Sequence, residues 1–237
     1  MTSATHADPK VLGRVVELAH PRPGQRALDV GTGTGHTAFA LAPRVTWVVG
    51  LDLTPGMLEQ GMRQRRERNI VNVSFETGDV HDLPYADSSF DIVTCRRAAH
   101  HFSNIERAIA EMSRVLVPGG RLVIDDRASP DDDRGDAVMD RLDRVHDPSH
   151  VRQYRPREWQ RLLEGAGFGV YAIEPYTQAR PVTSLTAGVP DAGVAEVRSI
   201  LAGLDPETRH LLGVADVDGE PHSLHFYVTI AATRGAR

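Results

Sequence analysis

An apolar run that ends in three glycines at alternate positions constrains the fold of this chain most strongly. The stretch RALDVGTGTG covers residues 26–35 and places glycine at Gly31, Gly33 and Gly35. Glycines between a strand and a helix let a ligand approach the main chain close to the positive end of the helix dipole. His36 stands where the dinucleotide fingerprint needs its third glycine, and no Lys-Ser/Thr pair follows as in a phosphate loop. The stretch therefore predicts a strand-turn-helix unit, either as a tight turn alone or as a cradle for a ligand without a pyrophosphate.

Strand-like and helical patterns alternate through the first two thirds of the chain. Helical spacing over 104–116 places Ile105, Ala108, Ile109 and Met112 on one face, and strand-like runs separate the helical stretches. The predicted strands are 26–31, 46–52, 71–79, 90–95, 120–126, 169–177 and a last one over 223–234. Such alternation is typical of a parallel sheet joined by crossover helices. We expect an α/β, doubly wound fold.

We treat residues 1–237 as a single domain, with two segments that lie outside the alternating pattern. Residues 9–20 form a predicted N-terminal helix. Residues 178–222 separate the last two strands with two weak helical stretches and many Gly, Pro and Asp residues. A connection of this length in a compact domain is usually functional, so we expect it to act as a cap over the substrate site.

Three carboxylates follow or end predicted strands. Asp29 precedes the glycines, Asp52 ends the second strand and Asp79 ends the third. Because the ends of parallel strands meet at one edge of a sheet, these acids should converge on one crevice. Asp52 can accept both hydroxyls of a ribose, and Asp79 can accept an exocyclic amine. The acidic crevice predicts a nucleoside ligand with a positive or amine-bearing tail.

With these glycines and acids in sequence, the chain resembles the class I S-adenosylmethionine-dependent methyltransferases. The motifs LDVGTGTG, VVGLDLTPGML, GDVHDLPYADSSFD, HHF and RVLVPGGRLVIDD occur in the family's order between residues 26 and 126. The resemblance is greatest to the branch that includes the ubiquinone and menaquinone C-methyltransferases. It implies a Rossmann-like sheet of seven mostly parallel strands whose last strand is antiparallel. It also implies S-adenosyl-L-methionine as the cofactor.

The resemblance assigns a cofactor role to residues of each motif. Asp29 would hold the amino end of the methionine directly or through water, although it could instead be a helix cap or a buried acceptor under the loop. Leu53 and Met57 would pack beside the adenine, or could be ordinary core residues. The complete implied set is Asp29, Gly31, Thr32, Gly33, Gly35, Asp52, Leu53, Met57, Asp79, Val80 and Arg96.

Candidate residues for the acceptor side follow the fourth and fifth strands. His100 and His101 could remove a proton from the acceptor, or the HHF motif could only shape the pocket. His101, Asp126, His150 and Tyr154 are the predicted substrate-binding residues, although the segment 144–156 could also be a polar turn. No spacing of His, Cys or acidic residues supports a metal ion, and we predict none.

Charge and composition narrow the range of partners. The net charge of −5 disfavours nucleic acid, and the single Cys95 excludes an intrachain disulfide. No apolar signal core or membrane span occurs, so we expect a soluble, cytoplasmic monomer or homodimer without membrane insertion. The predicted reaction is methyl transfer to carbon, oxygen or nitrogen of a small, partly apolar metabolite. The alternatives are a non-methylating S-adenosylmethionine-binding protein, for example one that catalyses a cyclisation, and a nicotinamide-dependent oxidoreductase.

Overall fold

Eight strands and nine α-helices make up the part of the chain described by the structure, which is a computed structural model covering residues 8–236. Residues 1–7 and Arg237 of the predicted domain lie outside that range. The strands are β1 Arg26–Val30, β2 Trp47–Asp52, β3 Val73–Thr77, β4 Phe90–Arg96, β5 Leu116–Arg127, β6 Phe168–Pro181, β7 Ala215–Val217 and β8 Glu220–Arg234. The helices are α1 Pro9–Ala19, α2 His36–Leu41, α3 Pro55–Glu67, α4 Ile105–Val115, α5 Asp133–His146, α6 Pro156–Gly165, α7 Thr183–Thr186, α8 Asp191–Ala202 and α9 Pro206–Leu211.

The strands form one sheet in the order β3-β2-β1-β4-β5-β8-β6, and β7 pairs with β8 outside this path. Strands β1 to β5 are parallel, and β8 is antiparallel to both β5 and β6. The predicted doubly wound sheet with an antiparallel last strand is confirmed, with the short β7 as an addition. The chain order reverses between β1 and β4, so the connections after these two strands run in opposite directions and leave a crevice where ligands of such sheets bind.

Helices cover both faces of the sheet and bury an apolar core on each. On one face, α4 buries Ile109 and Met112, and α6 buries Trp159 and Leu163. Helix α4 begins after Asn104, whose side-chain oxygen accepts the Arg107 N–H at 2.9 Å and thereby caps the helix. Helices α1 and α2 cover the other face. These two layers hold the strand ends in fixed positions.

The segment 178–222 is more regular than the sequence indicates. Its first four residues continue β6 as far as Pro181, and α7, α8, α9 and β7 follow. These helices pack on α5 and form a separate apolar cluster that includes Leu142, Val197 and Leu212. The segment therefore folds together with α5 as a small helical layer beside the sheet.

Candidate functional site

A cavity of about 690 Å³ opens at the carboxyl ends of β1, β2 and β4. The turn after β1, the start of α3 and the residues after β3 and β4 supply its walls. A volume of this size lies within the range of small-molecule and cofactor sites. From the predicted cofactor residues, the wall contains Gly31, Thr32, Gly33, Asp52, Leu53, Met57, Asp79, Val80 and Arg96.

Glycine is needed at the three positions of the first turn for different structural reasons. All three adopt positive φ angles, 63° at Gly31, 54° at Gly33 and 89° at Gly35. A Cβ atom on Gly31 would lie 2.3 Å from the Ala98 Cβ, and one on Gly35 would lie 2.6 Å from the Phe75 ring. A Cβ on Gly33 would meet only the flexible end of Met57, at 3.4 Å. Thus Gly31 and Gly35 permit close packing of the protein itself, and Gly33 keeps the main chain open to the cavity.

Asp52 connects this turn to the next strand end. Its Oδ2 accepts the Gly33 N–H at 2.7 Å, and its Oδ1 accepts the Thr54 N–H at 2.9 Å. Beside it, the side chains of Leu53 and Met57 are 68% and 36% exposed although both are large and apolar. An acceptor carboxylate next to two exposed apolar side chains fits a ribose joined to a flat base. These residues are not ordinary core residues.

Asp79 lines the same cavity, after the end of β3. Its Oδ1 accepts the His81 N–H at 2.9 Å and lies 2.6 Å from His81 Nδ1. The backbone hydrogen bond from His81 lowers the pKa of Asp79, so its carboxylate remains ionised. The neighbouring Val80 is buried on the cavity wall. This arrangement can accept an amine of a base.

Asp29 lies beneath the turn and does not line the cavity. It is buried, with its Oδ2 accepting the Thr32 hydroxyl at 2.6 Å and its Oδ1 accepting the Thr94 hydroxyl at 2.7 Å. Burial raises the pKa of Asp29 to about 6. The direct contact implied by the resemblance is not available in this arrangement, because Thr32 stands between Asp29 and the cavity. The geometry is that of the buried acceptor.

Arg96, the last residue of β4, and Arg97, which follows it, both lie on the cavity wall. Arg96 is buried and donates from Nε to the Thr37 hydroxyl at 3.0 Å. Arg97 has a positive φ of 56°, and its Nε donates to Asp125 Oδ2 at 3.0 Å. Its guanidinium carbon lies 3.6 Å from the centroid of the Tyr227 ring. The cationic end of the cavity is therefore joined to β5 and β8.

His101 is the one predicted acceptor-side residue that the structure places on the cavity wall. Its Nδ1 lies 3.1 Å from the Ser149 hydroxyl and 3.2 Å from the Ser149 carbonyl oxygen. Burial, with His100 beside it, lowers the pKa of His101 below the usual value. A neutral imidazole at this position can accept a proton near pH 7.

His100 and Asp126 do not line the cavity but form a buried pair behind it. The His100 N–H donates to Asp126 Oδ2 at 2.9 Å, and His100 Nδ1 lies 2.5 Å from Asp126 Oδ1. Burial alone would raise the pKa of Asp126, but His100 outweighs it and the pKa is lowered. His100 and Asp126 were predicted to contact the acceptor. The structure instead places both side chains behind the cavity wall, where they hydrogen-bond to each other. The His100 ring lies 4.0 Å from the His101 ring, centroid to centroid.

His150 and Tyr154 are also away from the main cavity. His150 is buried with its ring centroid 5.9 Å from that of His100. Tyr154 lines a shallower groove with Arg152 and Glu158. Ser149, which precedes His150 on the same loop, lines the main cavity instead, so the structure does not place the predicted substrate-binding residues His150 and Tyr154 on the cavity wall. No part of 178–222 lines the main cavity either.

The sequence did not indicate several residues of the cavity wall, because their residue types are common at such positions in any protein. They are His36, Thr37, Gln60, Ser103 and Ser149. His36 and Thr37 are the first residues of the helix after the glycines. Their place at a helix N-terminus, where ligands often bind, could have indicated them. Ser149 reaches the cavity only because residues Val151 and Arg152 donate their N–H groups to the His100 carbonyl oxygen, which no local pattern indicates.

Within residues 8–236 no group of three or more His, Cys, Asp or Glu side chains is arranged to hold a metal ion. Among the helices of that same range, none has the length and apolarity needed to cross a membrane.

Comparisons with known proteins identify relatives of this chain among the methyltransferases. The family model "Methyltransferase domain" matches residues 28–124. YcgJ of Bacillus subtilis, named a methyltransferase, is 42% identical over 157 residues, which cover 66% of this chain and 62% of YcgJ. The demethylmenaquinone methyltransferase of Deinococcus radiodurans is 48% identical over 111 residues, 45% of this chain and 44% of that protein. In these sequence alignments the chain thus spans less than two thirds of each relative.

The solved structure of YcgJ extends the similarity over the whole fold. It superposes with a TM-score of 0.90 at 32% identity and covers 95% of this chain and 98% of YcgJ. BH2331 of Bacillus halodurans superposes with a TM-score of 0.91 at 28% identity, with coverage of 95% and 99%.

Proposed function

The chain belongs to the S-adenosylmethionine-dependent methyltransferase family, and we propose that it transfers the methyl group to a carbon, oxygen or nitrogen atom of a small, partly apolar metabolite. The observation that carries the proposal is the position of Asp52. Its carboxylate is fixed by the Gly33 and Thr54 N–H groups between the open glycine and the exposed Leu53. This combination suits an adenosyl group, and the carboxylates of Asp52 and Asp79 on the cavity wall disfavour a pyrophosphate.

The protein's own contribution to the reaction is mainly positioning. When bound, the sulfonium cofactor supplies an activated methyl group with a good leaving group. Gly33 would admit the cofactor to the main chain, Asp52 would orient its ribose and Asp79 would accept from its adenine amine. Holding the acceptor atom in line with the methyl group can supply about 7–11 kcal/mol of the barrier reduction. Residues that fix the geometry should therefore matter at least as much as a proton acceptor.

His101 is the proton acceptor we propose. It lies on the cavity wall, is held by Ser149 through Nδ1 and has a lowered pKa. His100 and Asp126 support it from behind as positioning residues, because the His100 ring lies against that of His101. A general base of this kind typically contributes 10²–10⁴ in rate, in order of magnitude.

We also propose that the partner of the cavity is a small molecule rather than a nucleic acid, in keeping with the net charge of −5. A cytoplasmic location and a monomeric or homodimeric state complete the proposal. Light scattering on the purified protein would determine the oligomeric state, and fluorescence microscopy of a tagged chain would determine the location.

The direct test of the function is calorimetric. Purified protein is titrated with S-adenosylmethionine, S-adenosylhomocysteine and NAD in parallel, and we expect the first two to bind and NAD not to bind. Incubation with candidate acceptors should then release S-adenosylhomocysteine, detected by mass spectrometry. Absence of binding to both adenosyl ligands would contradict the proposal. Tight binding with no release from any acceptor would favour a non-methylating role.

A further inference from the structure

A cluster of three arginines lies on one face of the sheet, next to the cavity, just after β4 and at the carboxyl ends of β5 and β6. We call Arg97, Arg127 and Arg180 the arginine cluster. The guanidinium carbons of Arg97 and Arg180 lie 3.6 Å and 5.8 Å from the centroid of the same Tyr227 ring. Arg127 is the register partner of Tyr227 in the β5–β8 ladder. The cluster therefore begins at the cavity wall, where Arg97 lies, and continues away from it.

Two of these arginines have a carboxylate partner and the third does not. Arg97 pairs with Asp125 at 3.0 Å, and Arg127 lies 2.5 Å from Asp143 as an ion pair. Arg180 has no carboxylate within 4.0 Å among residues 8–236, and its Nη2 donates to the amide oxygen of Gln178 at 2.7 Å. Among residues 8–236, one positive charge of the cluster is thus left without a carboxylate partner.

The surroundings of Arg180 are electrostatically unfavourable. The side chain is half-buried, and burial lowers the pKa of Arg180, while nearby Arg97 and Arg127 lower it further and Tyr227 offsets part of the effect. A guanidinium placed among other cations away from bulk water is stabilised by an anion. Its planar fork of donors matches a carboxylate or a phosphate.

His225 provides a second, independent observation at the same place. It is 2% exposed, and neither of its ring nitrogens has a hydrogen-bond partner in the described part of the chain. It is the register partner of Gln178, the residue that accepts from Arg180. Burial, together with Arg127 and Arg180, lowers the pKa of His225 to about 2, so the ring is neutral and retains one N–H donor. A buried donor without a partner indicates a missing polar group.

We propose that Arg180 and His225 bind an oxyanion group of the acceptor, a carboxylate or a phosphate, next to the cofactor cavity. Arg97 connects the two places, because it lies on the cavity wall and covers the Tyr227 ring above which Arg180 also lies. The oxyanion would fix one end of the acceptor so that its other end faces the methyl group. This inference rests on the proposed methyl transfer and specifies the chemical class of its acceptor.

The test uses three probes of similar shape on the full chain saturated with S-adenosylhomocysteine. Benzoate, phenyl phosphate and the neutral benzamide are compared by saturation-transfer NMR and calorimetry. We expect at least one of the two anions to bind about tenfold or more tightly than benzamide, since hydrogen bonds to charged groups are the stronger ones. The preferred anion then tells a carboxylate site from a phosphate site. Equal binding of all three probes, or no binding of either anion, overturns the inference.

Four variants assign the effect to these side chains. Arg180→Met and His225→Phe should each remove the preference for the anion over benzamide. Arg180→Lys, which retains the charge but not the fork, should retain a weaker preference. Arg198→Met removes an exposed arginine on α8 and should leave the preference unchanged. An anion preference that persists in both Arg180→Met and His225→Phe overturns the assignment, provided that each variant melts as a folded protein.

Failure of this inference is distinguishable from failure of the proposed function. Binding of S-adenosylmethionine is measured on the same samples, and it depends on Asp52 and the glycine turn and not on Arg180. Cofactor binding without an anion preference overturns the oxyanion site alone. Absence of cofactor binding overturns the proposed function and with it the identification of any bound anion as an acceptor.

Discussion

The three glycines of the first turn should respond differently to substitution by alanine. Each adopts a left-handed backbone, which costs an alanine about 1–2 kcal/mol relative to glycine. Only Gly33 combines that conformation with open space on the cavity side, since its new Cβ would meet nothing closer than Met57 Cε at 3.4 Å. Gly33→Ala should therefore fold and lose cofactor affinity, whereas Gly31→Ala should lose stability.

The magnitudes follow from the contacts. Gly31→Ala adds to the backbone cost a 2.3 Å overlap with the Ala98 Cβ, which is fixed to the main chain and cannot rotate away. Overpacking of this kind costs about 1–3 kcal/mol, so the total loss is about 2–5 kcal/mol. Gly33→Ala should lose only about 1–2 kcal/mol of unfolding free energy. A methyl group against the bound cofactor should weaken its binding by about 1–3 kcal/mol, or roughly 5- to 150-fold.

Urea unfolding of the ligand-free variants and calorimetry with S-adenosylmethionine measure the two effects separately. Gly119→Ala is the matched control for the backbone cost, because Gly119 has a φ of 76° and its Cβ would meet nothing within 4 Å. Gly33→Ala should unfold like Gly119→Ala and bind the cofactor much more weakly. If Gly33→Ala binds the cofactor as tightly as the unchanged chain, the reasoning about the cradle is refuted.

The other predictions concern single side chains of the site. Asp52→Ala should weaken S-adenosylmethionine binding about 10²-fold or more in calorimetry, since two charge-assisted hydrogen bonds to the ribose are lost, whereas Glu59→Ala on the exposed face of α3 should not. Burial raises the pKa of Asp29 from 3.8 to about 6, so its ionisation opposes folding as the pH rises through that window. Relative to Asp29→Asn, the unchanged chain should lose about 2 kcal/mol of unfolding free energy between pH 4 and pH 7 in urea titrations, and a constant difference would contradict this account. His101→Ala should lower kcat by about 10²–10⁴ at pH 7 while leaving cofactor affinity unchanged, and an unchanged kcat would exclude His101 as the base.

Most of the fold could be predicted because a local apolar pattern in the sequence indicates each parallel strand. The pattern over 90–95 closely anticipates β4, which ends at Arg96. Boundaries shift where pairing extends a strand beyond its apolar run. Strand β5 begins at Leu116 and not at 120, across a register shift opposite Phe90 and Ile92. Strand β6 continues to Pro181 because β8 supplies a partner along its whole length.

The residues of the cavity wall at the ends of β1 and β2 were predictable for the same local reason. Gly33 and Asp52 each follow directly from one strand and the turn after it. The position of the Asp126 side chain could not be predicted in this way. The sequence places it at a strand end, but side chains alternate between the faces of a sheet, and only its neighbour Asp125 reaches Arg97. Asp126 instead reaches His100 on the other face, behind the cavity.

The acceptor side of the site is assembled differently from the cofactor side. Arg127, Arg180 and His225 come from three strands and meet only because β8 is inserted antiparallel between β5 and β6. No periodicity links residues so far apart in the chain, and all three lie beyond residue 124, where the match to the methyltransferase domain ends. Members of this family can therefore share the cofactor cradle and still differ in the residues that select the acceptor. It follows that substitutions at Arg180 should change which molecule is methylated, whereas substitutions at Asp52 should abolish methylation of every acceptor alike.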